Sequence, residues 1–144
     1  MIPLAFATQL KEAGLKWLPD INDFFAIPDS DMDDRIFVMS DMMTSPTTLK
    51  GWPAITFHGT SEWAMDYIFI EEVVWMPTEE QLRQELIFML DQSEEKTELR
   101  LELGENGRYT TTISFHNTPH TFTAPTPSET YAKALLHILK NHKP

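Results

Sequence analysis

The chain has 144 residues, 42% of them apolar and 23% charged, which fits one globular domain able to bury most of its apolar surface and excludes a disordered chain. Asp and Glu number 22 against 11 Lys and Arg, a formal charge of −11 whose field repels DNA, RNA and anionic membrane. With no Cys there is no disulfide framework, thiolate nucleophile or Cys-based metal site.

The first residues, Met1-Ile2-Pro3-Leu4-Ala5-Phe6, carry no basic leader, and Gln9, Lys11 and Glu12 arrive before a signal-length apolar run develops. No later stretch approaches the ~20 apolar residues of a membrane span, so the expected location is the cytoplasm. Leu4, Ala7 and Leu10 recur at helical spacing and Gly14 stands where a left-handed cap would sit, which predicts a short helix over 4–13. Phe24-Phe25-Ala26-Ile27 predicts a buried strand ended by Pro28 and a burst of aspartates. Ile36-Phe37-Val38-Met39, β-branched and aromatic with no helical period, predicts a second strand and makes the pair a hairpin.

Residues 44–53 mix turn formers with Leu49 and Trp52, and two prolines exclude a long helix, so irregular backbone is expected there. A strand over 54–58 follows, then a helix start at Gly59-Thr60-Ser61, a helix over 62–69 carrying Trp63, Tyr67 and Ile68, and a strand at Val73-Val74-Trp75.

Thr78-Glu79-Glu80-Gln81 matches a capping box, opening a helix through Leu82, Leu86 and Leu90. Leu99, Leu101 and Leu103 then alternate with Glu98, Arg100 and Glu102, the period of a strand with one wet face. A turn at Gly104-Glu105-Asn106-Gly107 leads to a second strand with Tyr109, Thr111, Ile113 and Phe115 in alternation. Asn117-Thr118-Pro119 is expected to turn again, and Phe122 and Ala124 place a third strand. Thr126-Pro127-Ser128-Glu129 combines an N-cap hydroxyl, a proline at the first helical position and a glutamate at the third. The helix it opens carries Tyr131, Ala134, Leu135, Ile138 and Leu139 as an apolar stripe fitted to cover the meander, with Lys133 and Lys140 on its wet side.

The fold class read from these elements is α+β: a mixed N-terminal α/β region, then a three-stranded antiparallel meander covered by a C-terminal helix. One domain over 1–144 is expected, with a soft subregion boundary at 92–96, where apolar residues pause.

Four groups of residues invite a chemical reading. Asp29-Ser30-Asp31-Met32-Asp33-Asp34 begins like a calcium loop, but position six is Asp34 instead of glycine and position twelve is Ser40 instead of glutamate. A solvated acidic turn with an empty loop is therefore expected, and no metal site is assigned. His58-Gly59-Thr60-Ser61-Glu62 puts an imidazole, two hydroxyls and a carboxylate at a strand-to-helix junction, so His58 with Asp41 and Glu62 forms the catalytic candidate set. No nucleophile elbow, P-loop or dinucleotide fingerprint accompanies it. His116 and His120 face each other across their expected turn with no third ligand, which suits polar strand ends better than a zinc site. Trp52 and Trp75 stand next to or near prolines, in Trp52-Pro53 and Trp75-Met76-Pro77, where a partly exposed indole anchors a partner if it is not core.

The segments Ala13-Gly14-Leu15-Lys16-Trp17, Asp23-Phe24-Phe25-Ala26-Ile27-Pro28-Asp29, Asp33-Asp34-Arg35-Ile36-Phe37-Val38-Met39-Ser40-Asp41-Met42, Gly51-Trp52-Pro53-Ala54-Ile55-Thr56-Phe57-His58-Gly59-Thr60 and Val73-Val74-Trp75-Met76-Pro77-Thr78-Glu79-Glu80-Gln81-Leu82-Arg83 resemble a group of small, uncharacterised bacterial proteins, some carrying the label pilus assembly protein. The resemblance spans most of the chain and implies a bacterial, cytoplasmic protein, with no activity or catalytic residue carried over.

The sequence thus favours a non-enzymatic binding or regulatory module that uses Trp52, Trp75, Asp31 and Asp33 to engage another protein, a basic partner being the sharper reading. The other class is a small hydrolase or ligand-binding enzyme built on His58. No cofactor is implied.

Overall fold

The computed structural model describes residues 1–28, 35–40, 44–57, 67–92 and 96–141, with the backbone alone at 44, 45 and 57. Its elements fall into two units, one formed by Met1–Leu15 with Pro77–Pro144 and the other by Lys16–Met76. The pause at 92–96 lies inside the first of these. Among the described residues the fold is mixed α+β, with three α-helices and three three-stranded antiparallel sheets.

In the first unit, helix α1 (Leu4–Glu12) stops where Gly14 takes φ 108° and donates its N–H to the Lys11 carbonyl at 3.0 Å. Helix α2 (Glu79–Asp91) opens with the capping box closed both ways: Gln81 N–H donates to Thr78 Oγ1 at 3.2 Å, and Thr78 N–H donates to Gln81 Oε1 at 3.0 Å. Leu82, Leu86 and Leu90 form its buried stripe. Strands β7 (Leu99–Leu103), β8 (Tyr109–Phe115) and β9 (Thr118–Ala124) follow as a meander with β8 in the middle, pairing Leu101 with Thr111 and Thr111 with Phe122. Helix α3 (Pro127–Asn141) begins where Thr126 Oγ1 accepts the Glu129 N–H at 3.3 Å, and buries Tyr131, Ala134, Leu135 and Ile138. Thr130 gives its hydroxyl proton to the Pro127 carbonyl at 2.6 Å, so the buried Thr111 hydroxyl is the donor in its 2.7 Å bond to Thr130, which pins α3 to β8.

One expectation about the meander is corrected. The second turn is the two-residue loop His116–Asn117, with φ 53° and 60°, while Thr118 and Pro119 already belong to β9 opposite Phe115 and Ser114. Positive φ at both positions gives the type I′ geometry that matches strand twist, which the Thr-Pro step had masked. The helix cover is as expected, with α3 packed on β8 and β9, while on β7 Leu101 stays 38% and Leu103 63% exposed. A helix about 10 Å across covers roughly two strands spaced about 4.8 Å apart, so one helix cannot roof three.

The second unit holds no α-helix among its described residues. Strands β1 (Phe24–Ala26), β2 (Ile36–Val38) and β6 (Val74–Trp75) make one sheet with β1 in the middle. Strands β3 (Thr44–Leu49), β4 (Trp52–Phe57) and β5 (Tyr67–Phe69) make the other, with β4 in the middle. The hairpin of β1 with β2 follows the sequence reading, pairing Phe25 with Phe37.

Residues 44–53 are not irregular but form the β3–β4 hairpin, closed by Lys50 and Gly51 at φ 51° and 84°. Both prolines are accommodated by register. A two-residue turn makes Leu49 and Trp52 a hydrogen-bonded pair, and such pairs alternate with unbonded ones. Pro46 opposite Ile55 and Pro53 opposite Thr48 therefore fall at unbonded positions, where no N–H is needed. The helix expected over 62–69 is also corrected at its described end, since Tyr67, Ile68 and Phe69 pair with Thr56, Ile55 and Ala54. Three aromatic and β-branched residues beside an open strand gain a ladder that an isolated helical turn could not match.

The core of this unit gathers Phe25, Ile27, Met39, Ile55, Ile68 and Val73, with Trp17, Phe37 and Ile70 packed against it. The Phe25 ring lies 5.7 Å from that of Trp17 and 5.5 Å from that of Phe37. Trp17 Nε1–H donates to Asp23 Oδ2 at 2.9 Å, satisfying a carboxylate on a residue only 6% exposed. No helix among the described residues is long and apolar enough to cross a membrane.

Candidate functional site

Alternation along β4 divides its side chains between two faces. Ile55, opposite Ile68, points into the core, and both are buried. Trp52, Ala54 and Thr56 occupy the other face, with Leu49, Phe69 and Tyr67 as their cross-strand partners. Trp52 is 63% and Tyr67 47% exposed, and the Tyr67 and Phe69 rings meet edge to face with centroids 5.6 Å apart. The turn sets the position of Trp52, because it follows Gly51 directly and its backbone is fixed by the pair with Leu49. Glu71 and Glu72 are exposed just beyond β5, where Glu72 Oε2 accepts the Phe69 N–H at 3.1 Å. An exposed indole near acidic side chains at one sheet end, with an exposed phenol farther along the same face beside Thr56, can take up apolar and cationic groups of another molecule.

Trp75 is built differently. It lies on β6 opposite Phe25, half-buried, and its Nε1 is buried with no hydrogen-bond partner among the described residues. An orphaned indole N–H costs about 1–3 kcal/mol. Its ring therefore contributes to packing more than to a presented surface. Asp31 and Asp33, as well as His58, Asp41 and Glu62, lie outside the described residues.

The histidines meet in a pairing that sequence reasoning missed. His120 on β9 and His137 on α3 bring their ring centroids to 4.6 Å, between Phe115 and Phe122. His116 sits in the turn with its ring against Phe115 at 4.0 Å. The available signal was the alternation His120, Phe122, Ala124, which puts His120 on the helix-covered face of β9. Burial, and then the nearby His120, lower the His137 pKa. Among the described residues no group of three or more His, Asp or Glu could hold a metal ion.

Elsewhere in the first unit, burial and the nearby Glu79 raise the Tyr131 pKa, opposed by a hydrogen bond with Arg83. Burial also raises that of Glu85. A hollow of about 370 Å³ between α1 and α3 is lined by Gln9, Glu12, Ala13, Leu139 and Lys140, which supply one carboxylate and one ammonium but no nucleophile paired with a base. No family model, curated protein or solved structure matches this chain.

Proposed function

We propose that this protein is a non-enzymatic binding module, bacterial and cytoplasmic, that engages another protein through the β3–β4–β5 sheet around Trp52. The observation that carries the reading is the 63% exposure of Trp52 on a strand whose other face is core. A large apolar ring held in water by a rigid hairpin is a pre-ordered anchor, since little entropy remains to be lost when a partner covers it. Tyr67, 47% exposed on the same face, extends the patch. The overall charge of −11, with Asp31 and Asp33 in an acidic run of the sequence, favours a basic partner and an association that weakens with salt.

The test pairs a capture assay with a melt. Trp52→Ala should abolish capture of the native partner while leaving the melting temperature within about 2 °C of wild type, because an exposed side chain contributes little to the core. Capture unchanged by Trp52→Ala would retire the reading. Charge reversal at Asp31 and Asp33 should slow association more than it speeds dissociation.

A further inference from the structure

The two edges of the meander are finished differently. At the β9 edge, Pro119 has no N–H to offer, and the Thr123 carbonyl already accepts from Lys133 Nζ at 2.7 Å. The β7 edge carries no such device. Ser114 N–H donates to the Glu98 carbonyl and Gly104 N–H to the Arg108 carbonyl, so the even-numbered residues of this strand bond to β8. The N–H and C=O groups of Leu99, Leu101 and Leu103 consequently point outward, and among the described residues β7 has no neighbour on that side.

The sequence of this edge is self-complementary. Leu99-Arg100-Leu101-Glu102-Leu103 reads with apolar residues at its centre and ends and opposite charges placed symmetrically about Leu101. We propose that β7 is a homodimer interface, pairing antiparallel with β7 of a second copy about a two-fold axis at Leu101. In that register Leu101 faces the partner's Leu101 and Leu99 faces the partner's Leu103, each pair exchanging two main-chain hydrogen bonds. Arg100 faces the partner's Glu102, and the symmetry repeats the pair.

The neighbouring registers that keep the outward groups bonded are repelled by charge. A shift centred on Arg100 sets it against the partner's Arg100 and Glu98 against the partner's Glu102. A shift centred on Glu102 sets it against the partner's Glu102. On the opposite face, Leu101 and Leu103, now 38% and 63% exposed, would join those of the second copy in one apolar row beside the helix-covered strands. Arg100, which bonds Glu98 at 2.9 Å in the single chain with both side chains exposed, exchanges one solvated partner for another at little cost.

Analytical ultracentrifugation of the full chain over a concentration series is the test. A mass of two chains is expected for wild type. Arg100→Glu should raise the dimer dissociation constant at least about tenfold, since both attractive pairs become repulsive. The double variant Arg100→Glu, Glu102→Arg should return it toward wild type, and an equal mixture of the two single variants should dimerise across chains. Unchanged far-ultraviolet circular dichroism keeps each arm interpretable, because these side chains lie on the wet face. A chain that stays monomeric, a dimer indifferent to Arg100→Glu, or a charge swap that fails to restore pairing would each overturn the proposal.

Discussion

In the unit formed by Met1–Leu15 and Pro77–Pro144, two of the three helices start with a side-chain cap, Thr78 for α2 and Thr126 for α3. The unit of Lys16–Met76 has short strands instead, set by a turn at positive φ and by aromatic rings stacked around Phe25. Local hydrogen bonds start an element wherever the residues occur, whereas a three-residue strand exists only beside its neighbours. The second unit therefore depends on the buried Phe25 and the partly buried Trp17 and Phe37 packed against it, and it also carries the exposed Trp52.

The largest break in this comparison comes from the rings. Phe25→Ala removes a fully buried side chain and should cost about 3–5 kcal/mol, read by denaturant unfolding. A loss below about 1 kcal/mol would show that the unit does not hang on its aromatic core.

Turn geometry gives the next effect. Gly51 has φ 84° and open space where a Cβ would go, so Gly51→Ala isolates backbone strain and should cost about 1–2 kcal/mol. Lys50, at φ 51°, bears part of that strain already, and Lys50→Asn should recover a few tenths of a kcal/mol. An equal melting temperature for Gly51→Ala and wild type would contradict the hairpin.

In the other unit, Thr126→Ala should cost about 1 kcal/mol through the lost cap, with the helical signal reduced only at its N-terminal turn. A melt unchanged within error would count against a capping role.

The smallest effect is the pH dependence of the His120–His137 contact. The His137 pKa in the folded chain lies below its ordinary value of 6.5, so on acidification the unfolded chain takes up the proton first. The stability is fully present above that ordinary value and is lost as pH falls through the lowered one. A comparison of melts at about pH 7.5 and about pH 5.5 should show a smaller drop in His137→Gln than in wild type. Identical drops would assign the acid sensitivity to other groups.

Much of the first unit was legible because its signals are local. The Thr78 and Thr126 boxes, the Leu82-Leu86-Leu90 stripe and the alternation from Leu99 to Phe115 each act within a few residues. The Lys50–Gly51 turn was less legible, hidden by two prolines that look like breakers until their hydrogen-bonding phase is known. Tyr67-Ile68-Phe69 fits helix or strand equally in isolation, and β4 decided it. In the candidate site, the proline-flanked setting of Trp52 and Trp75 drew attention to both, but composition could not separate the exposed ring from the half-buried one.

By itself the sequence determined the acidic charge, the absence of thiol chemistry, the helix starts and the face each strand of the meander turns inward, since all depend on residue identity or on a period of a few residues. Only the tertiary structure decided which apolar faces are covered. Leu101 and Leu135 read alike in the chain, yet α3 spans two strands and buries Leu135 while leaving Leu101 at an open edge. Coverage depends on the width of a helix against the width of a sheet, and on where a distant segment happens to lie.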